Sequence, residues 1–350
     1  MLSSVSTAVA FDKFGDSYYY FKHQLLFGVI PGLIILYILS RLNYHRWRKF
    51  AFPLLIITIG LLIAVFLPGI GFQLKGAHRW ISLGGILFQP SEIAKLTFLI
   101  YLASWLESKG ERKLKDVEGG FLPFIFTLGT VMLLIILQPD IGTTGIIVLI
   151  SLVVYFIGGG SLKHLLWLTM AGTGMLYFLI KIAPYRTARF TVFLHPELDP
   201  QGIGYHINQA LLAIGSGGWL GLGLGHSRQK HLYLPEVIGD SIFAVMAEEL
   251  GFFITLGLIA LYLYLAIRGF KIARLAPDRF GKLLAAGITA WIAIQAFINI
   301  GAMVGLLPLT GLTLPFISYG SSSLVVFLAA MGILINISKH SKKSAYIRRG

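Results

Sequence analysis

The chain has no cysteine in its 350 residues, which removes disulfides, thiol chemistry and thiolate metal sites from consideration. Charge is scarce as well. Asp, Glu, Lys and Arg together make up 13% of the sequence, about half of the roughly 25% usual in soluble domains. Apolar stretches at 24–40, 50–68, 120–138 and 141–158 contain no Asp, Glu, Lys, Arg or His, and 282–306 has only Lys282 at its first position. A transport path needs polar side chains spread through the membrane, so these gaps argue against a central pore. No fixed repeat period and no low-complexity tract is present, which excludes solenoids and linker-rich chains.

What is present in excess is apolar surface: hydrophobic residues make up 56% of the chain and mean hydropathy is +0.79. This composition specifies an all-α polytopic membrane protein. A helix crosses a bilayer with about 17 to 25 apolar residues, and nine such spans are predicted, near 24–40, 50–68, 90–106, 120–138, 141–158, 163–181, 241–267, 282–306 and 321–337. Lys and Arg outnumber Asp and Glu by 29 to 15, a balance that in a soluble chain would point to nucleic acid. Here the cations sit in every second connection: Arg41, Arg46, Arg48 and Lys49; Lys109, Arg112, Lys113 and Lys115; Lys163; Arg268, Lys271, Arg274 and Arg279; then Lys339, Lys342, Lys343, Arg348 and Arg349. Basic loops stay in the cytoplasm. The alternation therefore predicts an exported N-terminus, a basic cytoplasmic tail at 338–350, exported loops at 69–89, 182–240 and 307–320, and no nucleic-acid partner. Residues 1–350 are read as one membrane domain in which 182–240 is a large extracytoplasmic loop, too long for a plain connector. Its apolar pieces at 207–214 and 219–224 are expected along the interface rather than across the membrane. Met1 to Ala10 ends in small residues, yet it lacks the basic start and apolar core of a signal peptide.

Asp240 is the leading functional candidate, a lone carboxylate that closes the large loop and opens an apolar helix. An ionisable group at the rim of a membrane is costly and points to function. Asp followed by Ser is equally a good helix N-cap, and position alone supports both readings. Glu248 and Glu249 lie about two helical turns deeper, turned away from Asp240 by the 100° step per residue, and are expected in interhelical hydrogen bonds. A second polar concentration runs from His78-Arg79-Trp80 to Gln89-Pro90-Ser91-Glu92 and Lys95. Pro90 with Glu92 reads as a helix start, and Glu92 with Lys95 as an i,i+3 pair. Arg79 and Lys95 could serve a phosphate near the outer interface; interfacial anchoring explains Arg79 and Trp80 equally well. His195, His206, His226 and His231 follow no compact zinc spacing. Gly221-Leu222-Gly223-Leu224-Gly225 is read as a tight turn rather than a phosphate loop, because no strand precedes it. Gly301 and Gly305 form a GxxxG pair suited to close helix packing.

Taken together, His78-Arg79-Trp80-Ile81 through Gln89-Pro90-Ser91-Glu92 to Lys95, Gln138-Pro139-Asp140-Ile141-Gly142-Thr143, Gly221 to Asp240 with Phe243 and Glu248-Glu249-Leu250-Gly251, and Gly305-Leu306-Leu307-Pro308 through Leu314-Pro315-Phe316-Ile317-Ser318-Tyr319-Gly320 resemble the SEDS family (shape, elongation, division and sporulation) of peptidoglycan polymerases. The wording around Tyr233 to Glu236 and Gly311 to Gly320 is similar to the division branch. The resemblance implies ten spans, so this chain is expected to begin inside the family's first helix. It also implies that Asp240 is the catalytic aspartate, although Ile238-Gly239 stand where the family usually has His-Thr. The implied reaction is inverting glycosyl transfer from a glycan on undecaprenyl pyrophosphate to lipid II. In it, ionised Asp240 would take the acceptor hydroxyl's proton. Arg79, Lys95, Arg228 and Lys230, in that order, are the candidates to steady the departing pyrophosphate. Glu92 and Ser318 join the substrate-binding set, while Gln138, Asp140, Glu248 and Glu249 are structural polar groups within the membrane. No organic cofactor is implied; a divalent cation could share the electrostatic work, with no ligand set legible. The implied partner is a class B penicillin-binding protein, a transpeptidase, and the implied location is the bacterial plasma membrane at the division septum. A lipid II translocase and a non-catalytic scaffold for a partner synthase are the competing readings.

Overall fold

A computed structural model describes residues 2–347 apart from 75–76, 84–85, 183, 196–197, 200–201 and 231–233; Met1, His231, Tyr233, Arg348 and Arg349, named above, lie outside the described residues. Helix dominates. Among the described residues, seven helical stretches are long and apolar enough to cross a membrane: Tyr19–Arg41, His45–Ala64, Val117–Leu137, Leu162–Ile182, Ile242–Arg274, Arg279–Met303 and Ser321–Ser341. Two further helices fill the remaining predicted spans. Ile141–Ile157 is apolar but only 17 residues long, and Pro90–Leu114 carries Glu92 and Lys95 in its first turns. The chain is an all-α polytopic membrane protein. Its long helices turn large apolar side chains outward, as at Phe126, which is 78% exposed, because hydrocarbon rather than water is the solvent there.

The chain divides into two compact units, one formed by 1–26, 167–264 and 295–320, the other by 27–166, 265–294 and 321–350. In the second unit, helix Pro90–Leu114 is the centre, packed against His45–Ala64, Ile141–Ile157 and Ser321–Ile347. Helix Ile30–Arg41 lies along Ser321–Ile347, close enough that a Cβ on Gly332 would come 2.7 Å from the Leu36 carbonyl oxygen. Buried Asn336 closes one end of this contact: its Nδ2 donates to Ser40 O at 3.0 Å and its Oδ1 accepts from Tyr44 N at 2.9 Å. A side-chain amide thus serves backbone groups at the end of a helix, where none has an intrahelical partner.

Two features depart from the sequence reading. The 69–89 loop, for which no strands were predicted, carries β1 (Gly71–Leu74), β2 (Ala77–Leu83) and β3 (Ile86–Phe88) in an antiparallel meander in that order. Gly301 and Gly305 do not pack two helices. The helix ends at Met303, Gly305 turns the chain with φ +74, and Gly301 instead faces Leu307 of the following segment. GxxxG spacing is meaningful only while the helix continues, and a left-handed Gly ends it.

Candidate functional site

In the first unit, helix Ile242–Arg274 is interrupted at Gly251, with φ 78 and ψ −179, a backbone region open essentially to glycine alone. An interruption inside lipid must find partners for the backbone groups it frees. Segment 217–223 supplies them. Leu222 N donates to Glu248 O at 2.9 Å and Gly223 N to Glu249 O at 3.0 Å, while Phe252 N donates to Gly218 O at 2.9 Å. The glycine-rich run is indeed a tight turn, with φ of +81, +97 and +86 at Gly221, Gly223 and Gly225. Its purpose is contact: a Cβ on Gly251 would sit 2.3 Å from Gly221 N and 2.5 Å from Leu220 C. Gly251→Ala should lower stability by at least about 1–3 kcal/mol from conformation alone, read as a fall in Tm in detergent. An unchanged Tm would mean the helix runs through unbroken.

The two glutamates before the break hold the large loop. Glu248 Oε1 accepts from Arg228 N at 2.9 Å and its Oε2 from the Ser227 hydroxyl. Glu249 Oε1 accepts from Lys230 Nζ at 2.9 Å, and both its oxygens accept from Ser4 Oγ, at 2.9 and 2.8 Å. Lys230 is 3% exposed and Glu249 1%, so this is a buried ion pair. Arg228, two residues earlier, is exposed.

Asp240 is half-buried on the turn that precedes Ile242, the first helical residue. The turn is built on Glu236, whose φ of 51 is left-handed and costs about 1–3 kcal/mol for a residue with a side chain. That conformation lets the Glu236 carbonyl accept from Gly239 N at 2.9 Å and Ser241 N at 3.3 Å. Three consecutive carbonyls then face outward from the turn and each meets a donor. Tyr319 N reaches Ile238 O at 2.8 Å, Ser318 Oγ reaches Gly239 O at 2.6 Å, and Asn299 Nδ2 reaches Asp240 O at 2.9 Å. The donor loop is braced in turn. Leu314 N donates to Ser318 Oγ at 2.8 Å, Tyr262 OH to Pro315 O at 2.5 Å, and Gly320 N to Gln24 Oε1 at 3.1 Å.

On the other side of the turn, His206 Nε2 lies 2.6 Å from Ser241 Oγ, which also contacts Pro235 O at 2.8 Å. Serine has one proton; given to Pro235, it leaves the imidazole N–H as donor to Ser241. The pKa of His206 is held below the usual 6.5, first by burial and also by Arg189, against the pull of Glu236. The folded state therefore resists a proton that the unfolded chain accepts, so this contribution is intact above pH 6.5 and lost as pH falls below that value. Tm should drop between about pH 7.5 and about pH 5, and His206→Gln should shrink the drop. Equal drops in both proteins would remove His206 from the stability of the turn.

The second unit gathers the remaining predicted residues at helix ends. Arg79, on β2, donates from Nε to Gln138 O at 2.8 Å and from Nη2 to Pro139 O at 2.5 Å, a cation on the carbonyls that end helix Leu122–Leu137. Gln138 Nε2 donates to Leu62 O at 3.0 Å. Asp140 caps helix Ile141–Ile157 through Thr143 N at 3.0 Å and also accepts from Gln89 Nε2 at 3.3 Å. The i,i+3 pair is made, with Lys95 Nζ 2.7 Å from Glu92 Oε1, and the ammonium lies over the Trp291 and Phe327 rings at 5.3 and 5.7 Å. Lys95 and Lys230 are thus each committed to a glutamate. Asp240, Arg228, Lys230 and Ser318 belong to one unit, and Arg79, Glu92 and Lys95 to the other. Among the described residues, no three His, Asp or Glu come together in a way that could hold a metal ion. Sequence reasoning passed over Asn299, weighed His206 only as a metal ligand and gave Tyr319 no role at the turn. An Asn inside an otherwise apolar span was the one local signal available, since a buried amide needs a partner.

A multi-span membrane protein with polar side chains gathered at helix ends and turns is the class this fold and site define. The chain belongs to the FtsW/RodA/SpoVE cell cycle protein family, whose pattern it matches over residues 1–343. It is 42% identical over 342 residues to stage V sporulation protein E of Bacillus subtilis, covering 98% of this chain and 93% of that protein. To the probable peptidoglycan glycosyltransferase FtsW of Geobacter sulfurreducens it is 41% identical over 342 residues, covering 98% and 91%. Among solved structures, it is similar to a chain of a peptidoglycan synthase complex that coordinates polymerization and crosslinking, with a TM-score of 0.79 at 29% identity and coverage of 97% and 96%. The rod shape determining protein RodA of Thermus thermophilus gives a TM-score of 0.68 at 28% identity, with coverage of 96% and 93%.

Proposed function

We propose that this peptidoglycan glycosyltransferase builds glycan strands at the outer face of the bacterial plasma membrane, with Asp240 as general base. The observation that carries the reading is the Asp240 turn, a carboxylate half-buried beside an apolar helix whose supporting carbonyls are all engaged. Near-full-length relatives carrying the glycosyltransferase name support it. The acceptor, lipid II, attacks the anomeric carbon of a glycan on undecaprenyl pyrophosphate through a sugar hydroxyl. A carbon–oxygen bond forms with inversion, the bond to pyrophosphate breaks, and the hydroxyl proton passes to Asp240. Arg228, exposed in the same unit, is the foremost cation for the leaving diphosphate. Lys230, paired with Glu249, and Ser318, bonded to Gly239 O, act through their neighbours. The reaction needs no organic cofactor. With no three-ligand cluster among the described residues, a divalent cation would enter on the substrate's phosphates.

A transpeptidase of the class B penicillin-binding type is the expected partner, and the division septum the expected place; the likeness to a chain from a synthase complex that joins polymerization to crosslinking supports the first. The alternation of basic loops supports a cytoplasmic C-terminus. Purified protein supplied with fluorescent lipid II should yield a ladder of glycan products on a gel. Movement of lipid II between leaflets with no polymer would overturn the reading in favour of a translocase.

A further inference from the structure

We propose that Asn299 and Ser318 are positioning residues for Asp240, a proposal that rests on the catalytic reading above. The residue before the aspartate is Gly239, whose backbone has more freedom than any other. Left to itself, Gly239 would let the Asp240 side chain swing, and a base that must meet one hydroxyl needs a fixed direction. Within the turn the Glu236 carbonyl holds only the N–H groups of Gly239 and Ser241, and the restraint on the carbonyls around Asp240 comes from outside. Ser318 Oγ and Asn299 Nδ2 take the carbonyls on either side of the Gly239–Asp240 step, at 2.6 and 2.9 Å, and with Tyr319 N on Ile238 O they pin three successive peptide planes. With these planes held, the direction of the Asp240 Cα–Cβ bond is set.

The donors are themselves fixed. Asn299 is 1% exposed, and its Nδ2 gives its second proton to Leu312 O at 2.7 Å. Both N–H groups thus point at carbonyls, which settles the orientation of the amide. Ser318, 6% exposed, accepts from Leu314 N at 2.8 Å, so its single proton is directed to Gly239 O. The loop that carries Ser318 contains Phe316 at φ 67. Each of the two loops that meet here therefore holds one non-glycine residue in left-handed backbone, a cost that persists only where surrounding contacts enforce it.

Restraint from outside can be replaced by restraint from within, and this distinguishes positioning from general support. Gly239 lacks a left-handed φ, and a Cβ there would meet Glu236 atoms no closer than 3.6 Å, ordinary contact. Gly239→Ala therefore fits and narrows the backbone's range. The experiment measures polymerisation rates and lipid II KM in detergent, with Tm recorded for each protein, for Ser318→Ala, Asn299→Leu, Asp240→Asn and the double variant Ser318→Ala/Gly239→Ala. Ser318→Ala and Asn299→Leu should each lower kcat about tenfold or more with KM within about twofold. The double variant should recover at least about threefold of the rate lost in Ser318→Ala. If Asn299→Leu does not fold, the serine pair decides alone. Full rates in Ser318→Ala while Asp240→Asn is inactive would overturn the clamp and leave the base in place, as would a double variant no faster than Ser318→Ala. Normal polymerisation by Asp240→Asn would remove the catalytic reading and the clamp with it.

Discussion

Asp240→Asn is expected to slow glycan polymerisation by about 10²- to 10⁴-fold, the usual worth of a positioned general base. Asparagine matches the aspartate in size, and the contacts that hold the turn engage the backbone carbonyls of Ile238, Gly239 and Asp240. The substitution therefore changes charge and basicity while leaving the turn's supports in place, so Tm should move little. The measurement is the initial rate of polymer formation from fluorescent lipid II at saturating substrate. A loss confined to kcat marks a group that works in the transition state, whereas a rise in KM alone would assign Asp240 to substrate binding. Arg228→Ala offers the contrasting case. It removes an exposed cation, leaves the Arg228 N–H bond to Glu248 Oε1 intact, and should reduce the rate without affecting Tm.

Glu249→Ala is the second large effect, and it is one of stability. It strips the partner from Lys230, whose ammonium lies 2.9 Å from Glu249 Oε1 at 3% side-chain exposure. An ion pair this buried is weak evidence of net stabilisation, because both charges paid desolvation to enter; removing one partner is different, since the other is then stranded. The expected loss is about 3–5 kcal/mol, seen as a Tm shift of several degrees in detergent. The double variant Lys230→Met/Glu249→Leu removes both charges at similar volume and should recover most of the loss. A double variant as unstable as Glu249→Ala would mean that the pair itself, rather than a stranded charge, stabilises the loop.

How much of this was legible in advance follows the range of each interaction. Glu92 and Lys95 pair as read because three helical residues bring them to one face. The spans read at 120–138 and 141–158 are separated at Pro139 and Asp140, and Asp140 turns out to cap the second through Thr143 N. The glycine run at 221–225 was recognised as a tight turn, but what it turns toward was not. Its pairing with the Gly251 break joins segments 26 or more residues apart, and hydropathy runs straight through Gly251 because glycine costs little on an apolar scale. Arg79, a candidate phosphate ligand by sequence, is engaged with the carbonyls of Gln138 and Pro139, 59 and 60 residues away. Asn299 was passed over because its partners, the carbonyls of Asp240 and Leu312, have no sequence identity to notice.

The order of residues by itself determined that the chain lives in a membrane, where its long apolar helices run, and which carboxylate stands at the entrance of the helix after the large loop. These follow from hydropathy and from 3.6-residue periodicity, properties a segment carries alone. Tertiary structure decided which cations are already paired, that the helix after Asp240 is broken, that a small sheet fills the 69–89 loop, and what steadies the Asp240 turn. Those depend on backbone N–H and C=O groups meeting across long separations, and every residue type presents the same backbone, so no local pattern announces them.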